Sequence, residues 1–198
     1  MNFFGRKKQD QELDVTFADQ LAEQQVAPGT QLHYDSRLIM RLRAHHDALS
    51  GLASKAMESA QASRFDETKK HVRKFKLLLN EHLLERNLRL YTYLNCCLQL
   101  DPEGLDMTRN MRREMSDLSR KSTRFISRYE ELGINEESKT AFVEELAQIT
   151  ASLVDRFARE EQSLYTMYQP PQSYPDSATS PPAARHRPLA PVSLAAAC

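Results

Sequence analysis

Tryptophan is absent from this 198-residue chain, cysteine occurs three times and glycine five. Two of the cysteines are neighbours, Cys96 and Cys97, so no disulfide framework can be drawn and a reducing compartment, the cytoplasm, is expected. An excess charge of either sign is also lacking, with Lys and Arg numbering 27 and Asp and Glu 27. Zero net charge removes the usual electrostatic case for direct binding to nucleic acid or an anionic membrane. No uncharged apolar run approaches about 18 residues, and with a mean hydropathy of −0.61 no membrane span is expected. Met1–Lys8 has no apolar stretch before a small-residue cleavage site and does not read as a secretory signal. A Gly-rich phosphate loop, a nucleophile elbow and a Cys-x-x-Cys zinc pattern are missing as well, so the chain reads as no enzyme.

Proline is scarce until the end: seven of the nine prolines lie at or after Pro170. Residues 169–198 form a Pro/Ala/Ser-rich tail without periodicity, a composition that buries too little apolar area to offset its ordering entropy, and it is expected to be disordered. Residues 1–29 are polar, end on the turn signal Pro28-Gly29, and read as a flexible segment. One domain of residues 30–168 remains.

Within it, helix-period patterns fill four segments, about 36–62, 66–100, 105–132 and 136–168, separated by Pro102, Gly104 and Gly133. Asp35 or Ser36 is the expected N-cap of the first. Apolar residues recur at three- and four-residue steps, for example Leu38, Leu42, Leu49 and Ala56, or Phe142, Leu146, Ile149, Leu153 and Phe157. No run alternates with period two. Four amphipathic helices with short connections predict an all-α, up-down-up-down antiparallel four-helix bundle.

The second and fourth segments share a repeat at an offset of 74 residues, His82–Tyr93 against Arg156–Met167, with Leu-Tyr-Thr in common. Polar residues on the apolar stripes carry the chemistry, because bundles build their sites from inward side chains. Arg86 projects near the middle of the second stripe, His82 at its edge and Glu160 near the centre of the fourth. His45 and His46 flank the first stripe on opposite sides. Counting from the first loop sets residue 46 opposite residue 82, so His46 and His82 are expected to meet. The same counting places Glu160 about two helical turns from Arg86, which leaves Arg86 either paired with it across a longer loop or directed outward.

His46-Asp47, the stretch HLLERNLRLYTYL from His82 to Leu94, and REEQSLYTMY from Arg159 to Tyr168 resemble the hemerythrin-like, HHE cation-binding domains of bacterial type. The likeness spans roughly residues 28–168. It implies a bundle that holds two irons through a His in helix one and His/Glu steps in helices two and four, and that binds O₂ or senses oxygen, nitric oxide or redox state. His46, His82 and Glu160 match ligand positions. Arg86 stands where a Glu is implied and Arg156 where a His is implied. Helix three has no histidine, none occurring between His82 and His186. An arginine repels a metal ion and stays charged, so a fixed positive charge can take the metal's place.

Two readings of these residues stay open: hydrogen-bonded histidines beside an arginine-paired Glu160, or metal ligands at His46, His82 and Glu160. The expectation is a non-enzymatic cytoplasmic regulatory or protein-interaction module with an eroded di-iron site. It has a protein partner, a homodimer being one option, and no direct contact with nucleic acid or membrane. The alternative is an iron-binding sensor or carrier of O₂, NO or redox state. A shorter likeness, LVDRFAREEQSL and LYTYL, is to sigma-factor-binding regulators of the Rsd/AlgQ type. Cys96 and Cys97 read either as small hydrophobes at the end of a buried helix or as a redox pair. Arg109, Arg112, Arg113, Arg120, Lys121, Arg124 and Arg128 form a basic cluster on helix three interleaved with Glu114 and Asp117, which suits a solvated face or a docking surface for an acidic partner.

Overall fold

The structure, a computed structural model, describes residues 25–174. Those residues form α1 (Leu38–Gln61), α2 (Phe65–Glu85), a π-helical turn (Arg86–Tyr91), α3 (Thr92–Cys97), α4 (Pro102–Leu132), α5 (Lys139–Gln162), α6 (Leu164–Met167) and a 3-10 turn (Pro171–Ser173). Among them α2 runs on through the π turn into α3 as a second arm, and α5 into α6 as a fourth. The architecture is the four-helix bundle read from periodicity. The first arm packs beside the second and the fourth, and the third beside the same two, so arms two and four are parallel and diagonal. No helix of the described residues is long and apolar enough to cross a membrane.

Several boundaries differ from the sequence reading. Pro102 and Gly104, read as loop markers, lie in the first turn of α4. Proline at the first helical position loses only an N–H that has no partner there, and Asp101 Oδ1 accepts from Gly104 N at 3.0 Å to cap the helix. A side chain at 104 has no room, because Asp101 and the Met167 methyl lie against that position. α1 starts at Leu38 after Arg37, and neither Asp35 nor Ser36 is its N-cap. The Asp35 carboxylate instead accepts from the Arg37 amide at 3.1 Å and pairs with Arg41. At the chain's ends the packed body exceeds 30–168. Ala27 is buried in the same apolar cluster as Leu38 and Leu105, and the Tyr174 hydroxyl bonds the Met167 carbonyl. Residues 1–24 and 175–198, the rest of the expected flexible segment and tail, lie outside the described residues.

Two apolar clusters fill the interior. One, at the end closed by the loops after α1 and α4, joins Leu49, Ala53, Phe75, Leu79, Phe125, Phe142, Leu146 and Leu153. The other, at the chain-terminal end, joins Leu38, Leu42, Leu90, Leu94, Leu105 and Leu164. Each buried Leu or Phe contributes about 1.5–3 kcal/mol of transfer free energy, so these clusters hold the arms. Between them lies a polar layer.

Candidate functional site

That layer is built by register. α2 begins at Phe65 and α5 at Lys139, 74 residues later, so residues i and i+74 sit at one depth of the two parallel arms. Most inward positions obey the offset: Thr68 and Phe142, Val72 and Leu146, Phe75 and Ile149, Leu79 and Leu153, Leu90 and Leu164 are all buried, whereas buried Phe157 and Tyr93 stand opposite half-buried Leu83 and Met167. His82 with Arg156 and Arg86 with Glu160 are also buried pairs. Both arms loosen just beyond, the second in the π turn and the fourth at Ser163. The wider π turn lets Leu90 and Tyr91 both face inward.

Glu160, 0 % exposed, lies between two guanidiniums that are each 1 % exposed. Its Oε1 accepts from Arg86 Nη1 at 2.5 Å and lies 3.0 Å from Arg156 Nη2. The Tyr91 hydroxyl reaches the same oxygen at 3.4 Å, and Arg156 Nη2 also donates to the Met111 carbonyl at 2.7 Å. The Arg86–Glu160 contact corrects the loop counting that set them two turns apart. That counting ran through two loops and a helix, whereas the repeat compares the parallel arms directly.

His46 is fixed at both nitrogens. Nδ1 lies 3.0 Å from Glu161 Oε1 and Nε2 3.1 Å from the Tyr165 hydroxyl. A carboxylate only accepts, so Nδ1 carries the proton and Nε2 accepts from Tyr165. The ring stacks on Phe157 at 3.7 Å between centroids and meets the His82 ring at 5.0 Å, as the opposed depths predicted. Burial holds the His46 pKa below its usual value against the pull of Glu161 and Glu160. His82, 0 % exposed, has no hydrogen-bond partner at either nitrogen. Burial first, then the charge of Arg86, pushes its pKa down to about 2. Both imidazoles are therefore neutral at pH 7, and two guanidiniums face one buried carboxylate. Glu114, at the surface, comes within 3.7 Å of Arg156 Nε.

All five residues singled out from the sequence, His46, His82, Arg86, Arg156 and Glu160, meet in this layer. Tyr91, Tyr165 and Glu161 were missed; the Leu-Tyr-Thr of the repeat was the signal for the two tyrosines, since it puts both at one depth beside the charges. Glu85 is turned away, accepting from Arg41 at 2.9 and 2.6 Å. His45 stands 3.9 Å from Glu85 with its ring edge-on to His82 at 5.9 Å between centroids, and is no part of the His46, His82 and Glu160 cluster. Cys96 and Cys97 are free thiols. Burial raises both pKa values, that of Cys97 to about 11, as expected of small hydrophobes.

A bundle with inward His and Glu on its first, second and fourth arms defines a class of metal-binding four-helix proteins. The chain matches the hemerythrin HHE cation-binding domain over residues 37–168 and belongs to that family. No curated protein and no solved structure matches it. His46, His82 and Glu160 form a partial ligand cluster, with one donor atom of each within 4.8 Å of the others. A di-iron centre of the bundle type takes about six inward protein ligands. Among the described residues three donors are brought together here, and Oε1 of the one carboxylate in that cluster is held by Arg86 and Arg156. The donor set does not fit two metal ions.

Proposed function

We propose that this chain is a hemerythrin-like module in which fixed guanidinium charge has replaced the metal pair, and that it acts by binding another protein rather than by catalysis. The observation that carries the reading is Glu160 Oε1 shared between Arg86 and Arg156 at full burial. A carboxylate paired in this way balances buried positive charge in the apo chain, where a bare ligand cluster would leave carboxylates facing one another. A cytoplasmic regulatory role agrees with neutral net charge and few cysteines. The test is metal content per chain, with an optical spectrum, on protein purified from iron-replete cells without chelator. A metal-free, fully helical protein supports the proposal, as does iron uptake only after Arg86→Glu with Arg156→His. About two irons in the parent chain would sink it.

A second reading rests on Glu160 Oε2, which has no hydrogen-bond partner and lies 3.9 Å from His46 Nε2. One divalent ion held by His46, His82 and Glu160 would make a two-His, one-carboxylate site of the kind used by ferrous iron. It would serve an O₂, NO or redox sensor. For it Tyr165 must give up the lone pair of His46 Nε2. One ion per chain, lost together with Glu160→Gln, would favour this reading over the first.

A further inference from the structure

The seam between α4 and α5 is open along its outer side. One hollow of about 460 Å³ has Leu118, Phe125 and Ile149 on its floor and Lys121, Arg124 and Arg128 at its rim. A second, of about 650 Å³, continues it past Lys121 and Ser152, which border both, toward Glu114 and Arg159. Together they make one groove. From Glu114 to Arg128 it follows α4 for about 21 Å, or about four helical turns. A furrow between two packed helices takes the side-chain ridge of a third, so an amphipathic helix is the element that fills it.

The charges select which helix. Arg128 takes Glu145, Arg159 takes Glu114 at 2.8 Å and Asp155 at 3.2 Å, and Arg120 takes Asp117. Each carboxylate lining the groove therefore has its cation. Lys121 and Arg124, both exposed, have no carboxylate partner among the described residues. They stand near the middle of the groove, about one helical turn apart, and mark where a partner's carboxylates belong. A nucleic acid fits worse. The apolar floor offers nothing to a phosphate chain, and Glu114, Asp117 and Asp155 repel it at one end.

We infer that the α4/α5 groove is the docking site for an acidic amphipathic helix of a partner protein. Its apolar side chains lie on Leu118, Phe125 and Ile149 and its carboxylates on Lys121 and Arg124. The inference rests on the protein-binding reading above and gives that reading a surface.

The probe is a designed peptide of about 14 residues, with Leu or Phe at every third or fourth position and Glu at most others. Labelled with fluorescein, it is titrated with the full chain and read by anisotropy. It should bind at a single site and weaken as salt rises. Its affinity should fall about tenfold in Lys121→Glu with Arg124→Glu, and separately in Ser152→Tyr, which fills the groove from an exposed position. All three positions lie outside the packed clusters, so helical content should stay unchanged. No saturable binding, or equal binding of a peptide with Lys for Glu, would overturn the inference. So would a dimer of the chain alone that Ser152→Tyr dissociates, or a DNA oligonucleotide that displaces the peptide. Affinity indifferent to both variants also overturns it, seating the partner elsewhere and leaving the protein-binding reading in place. A metal-loaded parent chain, by contrast, removes that reading and leaves this titration as it is.

Discussion

The second and fourth arms bury mostly the same depths, yet at two of these depths they carry ionisable side chains. Where the offset of 74 pairs Leu79 with Leu153, or Leu90 with Leu164, both arms offer aliphatic side chains. Where it pairs His82 with Arg156 and Arg86 with Glu160, they offer an imidazole against a cation and a cation against an anion, equally buried. Burial along a bundle arm is therefore set by register, while residue choice at the same depth sets whether that depth is held by packing or by charge. The two kinds of layer should respond to mutation by different rules.

The largest effect is expected from Glu160→Ala. It leaves Arg86 and Arg156 buried with no carboxylate between them, and breaking a buried pair from one side costs about 3–5 kcal/mol. Replacing the whole group with apolar residues, as in Arg86→Met, Arg156→Leu and Glu160→Leu together, should recover that loss and exceed the parent by about 1–4 kcal/mol. Urea midpoints of the two variants decide it. If the triple replacement is no better than Glu160→Ala, the layer is held by shape rather than charge.

A matched pair of truncations sharpens the comparison on its apolar side. Leu79→Ala and Leu153→Ala remove equivalent side chains at one depth, and each should cost about 2–5 kcal/mol through lost transfer energy and the residual cavity. Because they share a layer, the double variant should fall short of the sum. Strict additivity in the same urea experiment would show that the diagonal arms do not meet there.

The bundle itself was legible in the sequence because three- and four-residue spacing of Leu and Phe reports directly on a buried face. His46, His82, Arg86, Arg156 and Glu160 were legible for the same reason, as polar residues on apolar stripes. Their pairing was harder to see. Depth counted through loops accumulates error at every cap, and α4 in fact starts at Pro102 and not near Leu105. The π turn was illegible, since Arg86–Tyr91 uses ordinary helix formers and only its packing shows the extra residue. Tyr165 and Glu161 as partners of His46 depend on a side-chain direction that periodicity does not specify.

Acid should separate the layers more gently. His82 titrates near 6.5 when unfolded and at about 2 when folded, so below pH 6.5 the unfolded chain binds the additional proton. Stability is then complete above that pH and falls as pH drops toward 2, by about 1.4 kcal/mol per unit for this one group. His46, shifted in the same direction, adds to the slope. His82→Phe removes the titrating group and should flatten the dependence of Tm on pH between 6.5 and 4.5. A slope unchanged by His82→Phe would assign the acid sensitivity to other groups.

The smallest effect compares two tyrosines at one depth. Tyr165 donates to His46 Nε2 at 3.1 Å, whereas Tyr91 touches Glu160 and Arg156 only at 3.4 Å. Tyr165→Phe leaves a buried imidazole nitrogen without a donor and should cost about 1 kcal/mol or somewhat more. Tyr91→Phe should cost less than half as much, because Glu160 keeps both guanidiniums. The order carries the argument: if Tyr91 proves the more costly, its hydroxyl, and not the arginine pair alone, completes the shell of Glu160. The layer would then be a hydrogen-bonded network of which the two charges are only a part.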